Sequence, residues 1–400
     1  MAEAVDIVIS GGGVAGLGAA CVMGAAGFSV LCVDPTPPVT KATDPGADLR
    51  TTAFLQPARA LLEDAGLWPA LAPQAAPLRI MRIVDAGGDA GVARLVRDFN
   101  STELGDAPFG WNLPNWLMRR EMLARMAELP NVTFRPGMGT ATLLTREREA
   151  IVGLTDGTRI RARLVIAADG RGSPMRQAAG IAVRTTRYGQ KALAFAVTHP
   201  IPHENVSTEI HRSGGPFTLV PLPDREGHPC SAVVWMEDGR RALDLARMPD
   251  ETFAQALAER SCNLFGPLTP VTRRSLWPII TQVAERMAGQ RIALMAEAAH
   301  VVPPIGAQGL NMSLADLRQL RDLAMAAPDR LGDAQMLDCY HRERHRDVSL
   351  RATGIDMLNR ASQVAAPPLR DIRAGGLNAL YSAAPVRRLL MDMGLGARRQ

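Results

Sequence analysis

Three clusters of glycine and acidic residues are spaced to hold a large anionic ligand. The first is Gly11, Gly13 and Gly16 in GGGVAG, directly after the apolar run 5–10. At that spacing one glycine makes a tight turn and the second lets the backbone approach a diphosphate. The third lets a helix pack on its strand. Val14 and Ala15 stand between the second and third glycines, in the turn that leads to the helix. Asp34 ends the next apolar run, 23 residues after Gly11, where a carboxylate can accept from ribose hydroxyls. The second cluster, Asp169-Gly170, ends the apolar run 163–168, at the strand end where ligands gather in doubly wound sheets. The third lies in residues 291–320. A short apolar strand (292–296) leads to Glu297, then to a turn holding Pro303, Pro304, Gly306 and Gly309, and then to a helix opening around Leu310 and Asn311. Such a turn aims backbone N–H groups and a helix start at one point and is suited to negative charge.

The elements that must position these clusters can be read around them. A small-residue helix is expected over 17–27 and a second strand over 28–33, then a Pro- and Gly-rich loop over 36–47 and a helix over 58–65. From residue 77 the alternation is that of a β-hairpin. Short strands are expected at 132–134, 141–144 and 150–154, with an Asp156-Gly157 turn. Residues 181–270 read as strand throughout, 337–351 as a basic helix with a solvated face or an internal ion-pair network, and 355–394 as helical, broken at Pro367-Pro368 and Gly375-Gly376.

Composition narrows the classes of function. The chain has 400 residues, 47% of them hydrophobic, enough for two domains. The net charge is +5 and the pI about 9.2, but the positive charge is spread along the chain and aromatic residues make up only 4%. Nucleic acid is therefore not an expected partner. Five cysteines without a CxxC pair predict neither disulfides nor zinc, and a reducing cytosol. His199, His203 and His211 match no metal spacing and are expected on solvated loops. Glu3 and Asp6 stand where a signal peptide would be basic. Residues 14–33 carry no charge and are long enough to span a bilayer, but the glycine spacing assigns them to a helix and a strand instead.

Together the motifs resemble those of class A FAD-dependent aromatic monooxygenases, and most closely the ubiquinone-biosynthesis hydroxylases. The stretch EAAHVVPPIGAQGLNMSLADL is similar to that family's second flavin motif, ADG to its DG motif, and GGGVAG with Asp34 to its first nucleotide motif. Further likenesses are Asn115 and Arg119 in NWLMRREML, YGQKA at 188–192, GPFTLVPL at 215–222, VVW ending at Trp235, and Tyr340, Arg344 and Asp347. The chain departs from the family at Ala296-Glu297, where Gly-Asp is usual. Trp277-Pro278-Ile279 is not the WxWxIP pattern of flavin-dependent halogenases.

The resemblance implies an α/β fold: a Rossmann-like FAD-binding domain of the p-hydroxybenzoate hydroxylase type, an interleaved mixed-sheet substrate domain and a C-terminal helical segment. The FAD domain would comprise residues 1–76, 109–180 and 273–345, the substrate domain 77–108 and 181–272, and the terminal helices 346–400. FAD would be held by Gly11, Gly13, Val14, Ala15, Gly16, Asp34, Arg50, Arg119, Asp169, Gly170, Glu297, Gly309, Leu310 and Asn311. Pro303 and Gly306 would shape the loop beside the flavin C4a carbon. Val220, Pro221, Leu222 and Trp235 are substrate-pocket candidates as well as core candidates. The implied reaction is ring hydroxylation of a polyprenylated phenol through a flavin C4a-hydroperoxide, with NADPH or NADH docking transiently. The alternatives are a weakly flavinylated scaffold in a quinone-biosynthesis complex and a related flavoprotein reductase. Partner proteins of the same pathway, homo-oligomerisation and peripheral contact with a bacterial inner membrane from the cytoplasm are all compatible with it.

Overall fold

A strand followed at once by glycines and a small-residue helix can bury both faces, and this unit begins the chain. In the computed structural model, which describes residues 3–86, 93–212, 214–363 and 391, the strand Glu3–Ser10 leads into the helix Val14–Ala25. The second strand is Val30–Asp34. Glu3–Ser10 lies between Val30–Asp34 and Arg159–Ala167, parallel to both. Val132–Pro136 extends the parallel sheet on one side and Ile292–Leu294 on the other. Parallel strands need cover on both faces, and their residues are accordingly apolar: Ile7, Val8, Ile9, Leu164, Val165 and Ile166 are fully buried. This order brings the strand ends at Ser10, Asp34, Ala167 and Leu294 to one edge of the sheet.

The second sheet is mixed and, among the described residues, has nine strands. Its long members are Val183–Thr198, Pro216–Arg225, His228–Asp238 and Ser275–Ala284. The hairpin expected from residue 77 is the antiparallel pair Ile80–Asp85 and Leu95–Asn100, joined to this sheet by parallel pairing with Val206–His211. A small third sheet links Thr51–Leu55, Ala76–Leu78 and Gly110–Pro114.

Three expectations need correction. Residues 181–270 are not all strand: Gly239–Arg247 and Asp250–Arg260 are helices. Asp238 caps the first, its carboxylate accepting from the backbone N–H of Arg240 at 2.9 Å. Ser275–Ala284, expected in the FAD-binding part, pairs with Val183–Thr198 along most of its length and belongs to the mixed sheet. The helix Ala334–Gln363 runs unbroken through residues 345 and 346, so no break in secondary structure marks a terminal segment there. The breaks expected at Pro367-Pro368 and Gly375-Gly376 lie outside the described residues. Among the described residues no helix is long and apolar enough to cross a membrane. Residues 14–33 are divided between a 12-residue helix and a buried strand.

Candidate cofactor and active site

A cavity of about 730 Å³ lies between the edge of the parallel sheet and one face of the mixed sheet. Its first wall is the glycine turn. Gly11 has φ +110°, and a β-carbon there would press on the Ala168 backbone, while one at Gly16 would run into the Gly11 carbonyl oxygen. Gly13 differs from both: its φ is −72°, and a β-carbon there would meet nothing within 4 Å among the described residues. The chain itself leaves that space open. Among the described residues no side chain caps the helix Val14–Ala25, and no acid lies in its first turn, so its first amides are available to an anion. Asp34 accepts from the backbone N–H of Gly12 at 2.5 Å and of Thr36 at 2.7 Å. Gly13, Val14, Ala15 and Asp34 line the cavity, and Gly16 packs behind it.

Asp169 and Gly170 line the cavity beside this turn. Asp169 Oδ2 accepts from Ser10 Oγ at 3.1 Å and from the Met175 N–H at 3.2 Å. Its Oδ1 is buried with no partner among the described residues. Burial pushes the Asp169 carboxyl above its ordinary value, more than the Ser173 hydroxyl, the Met175 N–H and the Ser10 hydroxyl lower it. A buried carboxylate oxygen without a donor is costly, and here it lies at the wall of a cavity.

Arg50 and Arg119 both line the cavity, brought together by a residue not foreseen from the sequence, Asp48. Arg50 donates to its two oxygens at 2.8 and 2.7 Å. Asn115 Nδ2 donates to it at 3.0 Å, and Arg119 approaches to 3.7 Å. Burial alone would raise Asp48, but the Arg50 hydrogen bonds and charge, with Asn115 and Arg119, hold it below the ordinary carboxylate range. An acid two residues before an arginine in an extended loop was the only signal in the sequence. The Arg50 guanidinium also sits 4.5 Å from the ring centroid of Trp277, a favourable cation–π distance.

The third wall is the loop after Ile292–Leu294. Ala296 has φ +55°, a left-handed conformation that favours glycine. Glu297 is exposed to the cavity, in the electrostatic field of Arg50. Of the two prolines, Pro304 lines the cavity, whereas Pro303 is buried behind it. Gly306, Gly309 and Leu310 line the cavity at the start of the helix Gln308–Ala326, which has no side-chain cap. Asn311 does not line it. Its amide accepts from the Leu55 N–H at 2.9 Å and donates to the Ala53 carbonyl at 2.7 Å, fastening the helix to the strand Thr51–Leu55. The side chain of Asn311 is therefore a strut; the loop residues around it carry the open amides.

The opposite wall is the mixed sheet. Side chains alternate across a strand, and this alternation puts Val220 on the cavity face and Pro221 and Trp235 on the other, while Leu222 shares the face of Val220 but packs beside it outside the cavity. Val220 faces the cavity with Ala232, Val234, Ala192 and Ala194. Trp235 faces the other way and packs edge-on against Phe217, 5.5 Å between centroids. Pro221 and Leu222 are not cavity residues either; the Pro221 carbonyl accepts from Asn112 Nδ2 at 2.9 Å. Leu55, Leu78, Met81 and Phe109 give one part of the cavity an apolar lining. The solvated-histidine expectation fails for two residues. His199 is 3% exposed, bonded to the Ile201 carbonyl at 2.8 Å and Ser231 Oγ at 2.9 Å, and burial lowers its pKa. His211 is half-buried on a strand, 2.8 Å from Glu209.

The residues present fit FAD. The open space at Gly13, the two uncapped helix starts and the unpartnered Asp169 oxygen line one continuous cavity whose shared feature is a demand for phosphate oxygens and hydroxyl donors. Comparison with known proteins agrees. The FAD binding domain family matches residues 4–352. The ubiquinone hydroxylase UbiL of Rhodospirillum rubrum is 32% identical over 397 residues, covering 98% of this chain and 89% of that protein. The 3-demethoxyubiquinol 3-hydroxylase of Escherichia coli is 26% identical, with 98% of each chain covered. In fold the chain is similar to the p-nitrophenol 4-monooxygenase PnpA of Pseudomonas putida, with TM-score 0.79, 20% identity and 100% of both chains covered. The chain is a FAD-dependent aromatic monooxygenase and belongs to the ubiquinone-biosynthesis hydroxylases.

Proposed function

We propose that the protein hydroxylates the aromatic ring of a polyprenylated phenol on the route to ubiquinone, using NAD(P)H and O₂. The observation that carries this reading is the shared cavity: a dinucleotide cradle on one side and, on the other, a floor of small and apolar side chains. Bound FAD would supply the redox chemistry and the transfer of one oxygen atom. Gly13, Val14 and Ala15 would hold its diphosphate, Asp34 its adenosine ribose, and Asp169 and Glu297 would accept from its remaining hydroxyl groups. Arg50 and Arg119, fixed by Asp48, would line its flank. The open amides at Gly309 and Leu310 would stabilise negative charge on the reduced ring. Pro304 offers no N–H to compete beside the reacting atoms. Leu55, Leu78, Met81 and Phe109 suit an isoprenoid chain, whose burial contributes about 25 cal/mol per Å².

A second recess of about 350 Å³ adjoins the first through Arg171, Pro278, Ile279 and Ile280. Arg187 and Lys191 line it with Arg171, and among the described residues none of the three forms an ion pair. That charge supports a transiently docked, phosphate-bearing reductant. The test is the purified protein supplied with FAD, NADPH, a prenylphenol and ¹⁸O₂. One ¹⁸O atom in a ring hydroxyl of the product is expected. NADPH oxidation yielding only peroxide with every prenylphenol tried would overturn the substrate assignment.

A further inference from the structure

The cavity floor carries one acid that cofactor binding does not use. Glu209 lies on the strand Val206–His211, which alternates faces, so Ser207 and Glu209 line the cavity while Thr208 and Ile210 are buried on the other side. The neighbouring strand sets Thr218 opposite Glu209, and Thr218 and Val220 line the same floor. Most of that floor is apolar, built from Ala192, Ala194, Ala232 and Val234. A carboxylate is held there by His211, whose Nε2 is 2.8 Å from Glu209 Oε1. A carboxylate only accepts, so Nε2 carries the hydrogen and donates. Glu209 has no other ion-pair or hydrogen-bond partner among the described residues, leaving Oε2 available to a ligand.

We propose that Glu209 is a catalytic residue: it accepts the proton of the substrate's ring hydroxyl, and His211 positions its carboxylate. This rests on the phenol reading above. The step balances simply. The phenolic O–H bond breaks, its electron pair stays on oxygen, and the proton forms an O–H bond on Glu209 Oε2. The phenolate is more electron-rich than the phenol, so the ring carbons attack an electrophilic oxygen faster. Other charged groups on this face are few. Asp85, on the strand Ile80–Asp85, is in register with His211, and Arg97 lies one strand further, in register with Ile83. The antiparallel neighbour offers only Thr218 and Pro216.

The test compares wild type, Glu209→Gln and His211→Gln as FAD-loaded proteins, with a phenol carrying a two-isoprene chain. FAD content, NADPH oxidation and hydroxylated product are measured across pH. General-base catalysis contributes about 10²–10⁴-fold. Glu209→Gln is therefore expected to keep its FAD and to oxidise NADPH, while product formation falls at least a hundredfold and its pH profile departs from that of wild type. His211→Gln, which keeps a donor, should retain much of the product and shift its pH profile. Wild-type product with an unchanged pH profile in Glu209→Gln would overturn the assignment. If wild type hydroxylates no phenol at all, the function proposed above falls first, and this inference with it.

Discussion

At the scale of single residues, the departure at Ala296-Glu297 is the most instructive. A left-handed alanine costs about 1–2 kcal/mol relative to the ordinary helical region, and Ala296 holds φ +55°. Glycine there would relieve that strain but would lose more backbone entropy on folding, by about 0.5–1 kcal/mol. The balance favours the variant: Ala296→Gly is expected to raise the stability by up to about 1 kcal/mol in denaturant titration, with FAD binding intact or tighter. Lower stability would mean that the alanine methyl makes a compensating contact. Glu297 keeps the charge and acceptor oxygens of an aspartate on a side chain one methylene longer. Its carboxylate projects into the cavity near Arg50. Loss of a hydrogen bond to a charged acceptor costs about 1.5–3 kcal/mol, or roughly ten- to a hundredfold in affinity. Glu297→Ala should weaken FAD binding by that factor and Glu297→Asp should leave it similar. Unchanged FAD affinity in Glu297→Ala, measured by fluorescence titration, would remove Glu297 from the cofactor site.

At the scale of elements, a buried charge network holds the closing helix behind its loop. Asp316 is fully buried on the helix Gln308–Ala326. His300 Nε2 is 2.6 Å from its Oδ2, and Arg344 Nε donates to its Oδ1 at 2.8 Å from the helix Ala334–Gln363. Burial alone would raise the Asp316 pKa, but the charges of His300 and Arg344 and their hydrogen bonds hold it below the ordinary carboxylate value. A folded-state pKa below the unfolded one stabilises the fold above the unfolded pKa, about 3.9, and the contribution is lost as pH falls through the lower folded value. Asp316→Asn leaves Arg344 short of a buried partner and should cost about 3 kcal/mol at neutral pH. In urea titrations the gap between wild type and variant should narrow below pH 4; a gap that stays constant on acidification would show that charge is not its source. This network was only partly legible in the sequence. The Tyr340, Arg344 and Asp347 pattern was visible because it lies on one helix, but the meeting with Asp316 and His300 depends on how two helices pack. Local features were the most readable: the glycine turn, the apolar strands and the helix starts are fixed by neighbours a few residues away. The strand Ser275–Ala284 was assigned to the wrong sheet because its alternation gives its faces but not its partner. Asp48 and Glu209 were missed because each acquires its meaning from a distant residue across the cavity or from the strand face it occupies. The helices at 239–247 and 250–260 were missed inside a strand-rich region, although Asp238 stands at the first as a readable cap.

At the scale of the whole molecule, the cavity is the seam between the parallel sheet and the mixed sheet, which side-chain hydrogen bonds bridge. Gln282 of the mixed sheet reaches the carbonyl of Arg171, just beyond the parallel strand Arg159–Ala167, at 2.9 Å, and Asn112 of the small third sheet reaches the Pro221 carbonyl of the mixed sheet at 2.9 Å. A ligand filling about 730 Å³ along this seam touches walls contributed by distant parts of the chain, so FAD should act as part of the fold as well as of the chemistry. Binding to the native state alone stabilises it by RT ln(1 + [L]/Kd), about 2.7 kcal/mol at a hundredfold excess over Kd. The apoprotein should therefore melt several degrees below the same protein with FAD in excess. Gly13→Val separates this linkage from folding itself. The position has an ordinary φ and free space around its β-carbon, so the variant should fold with nearly wild-type apo stability. Its isopropyl group would occupy the space assigned to the diphosphate, so adding FAD should no longer raise its melting temperature. Normal apo stability with no FAD-induced shift would locate the diphosphate at Gly13. An undiminished shift in Gly13→Val would place it elsewhere in the cavity, and the assignments of Val14, Ala15 and Asp34 would then have to move with it.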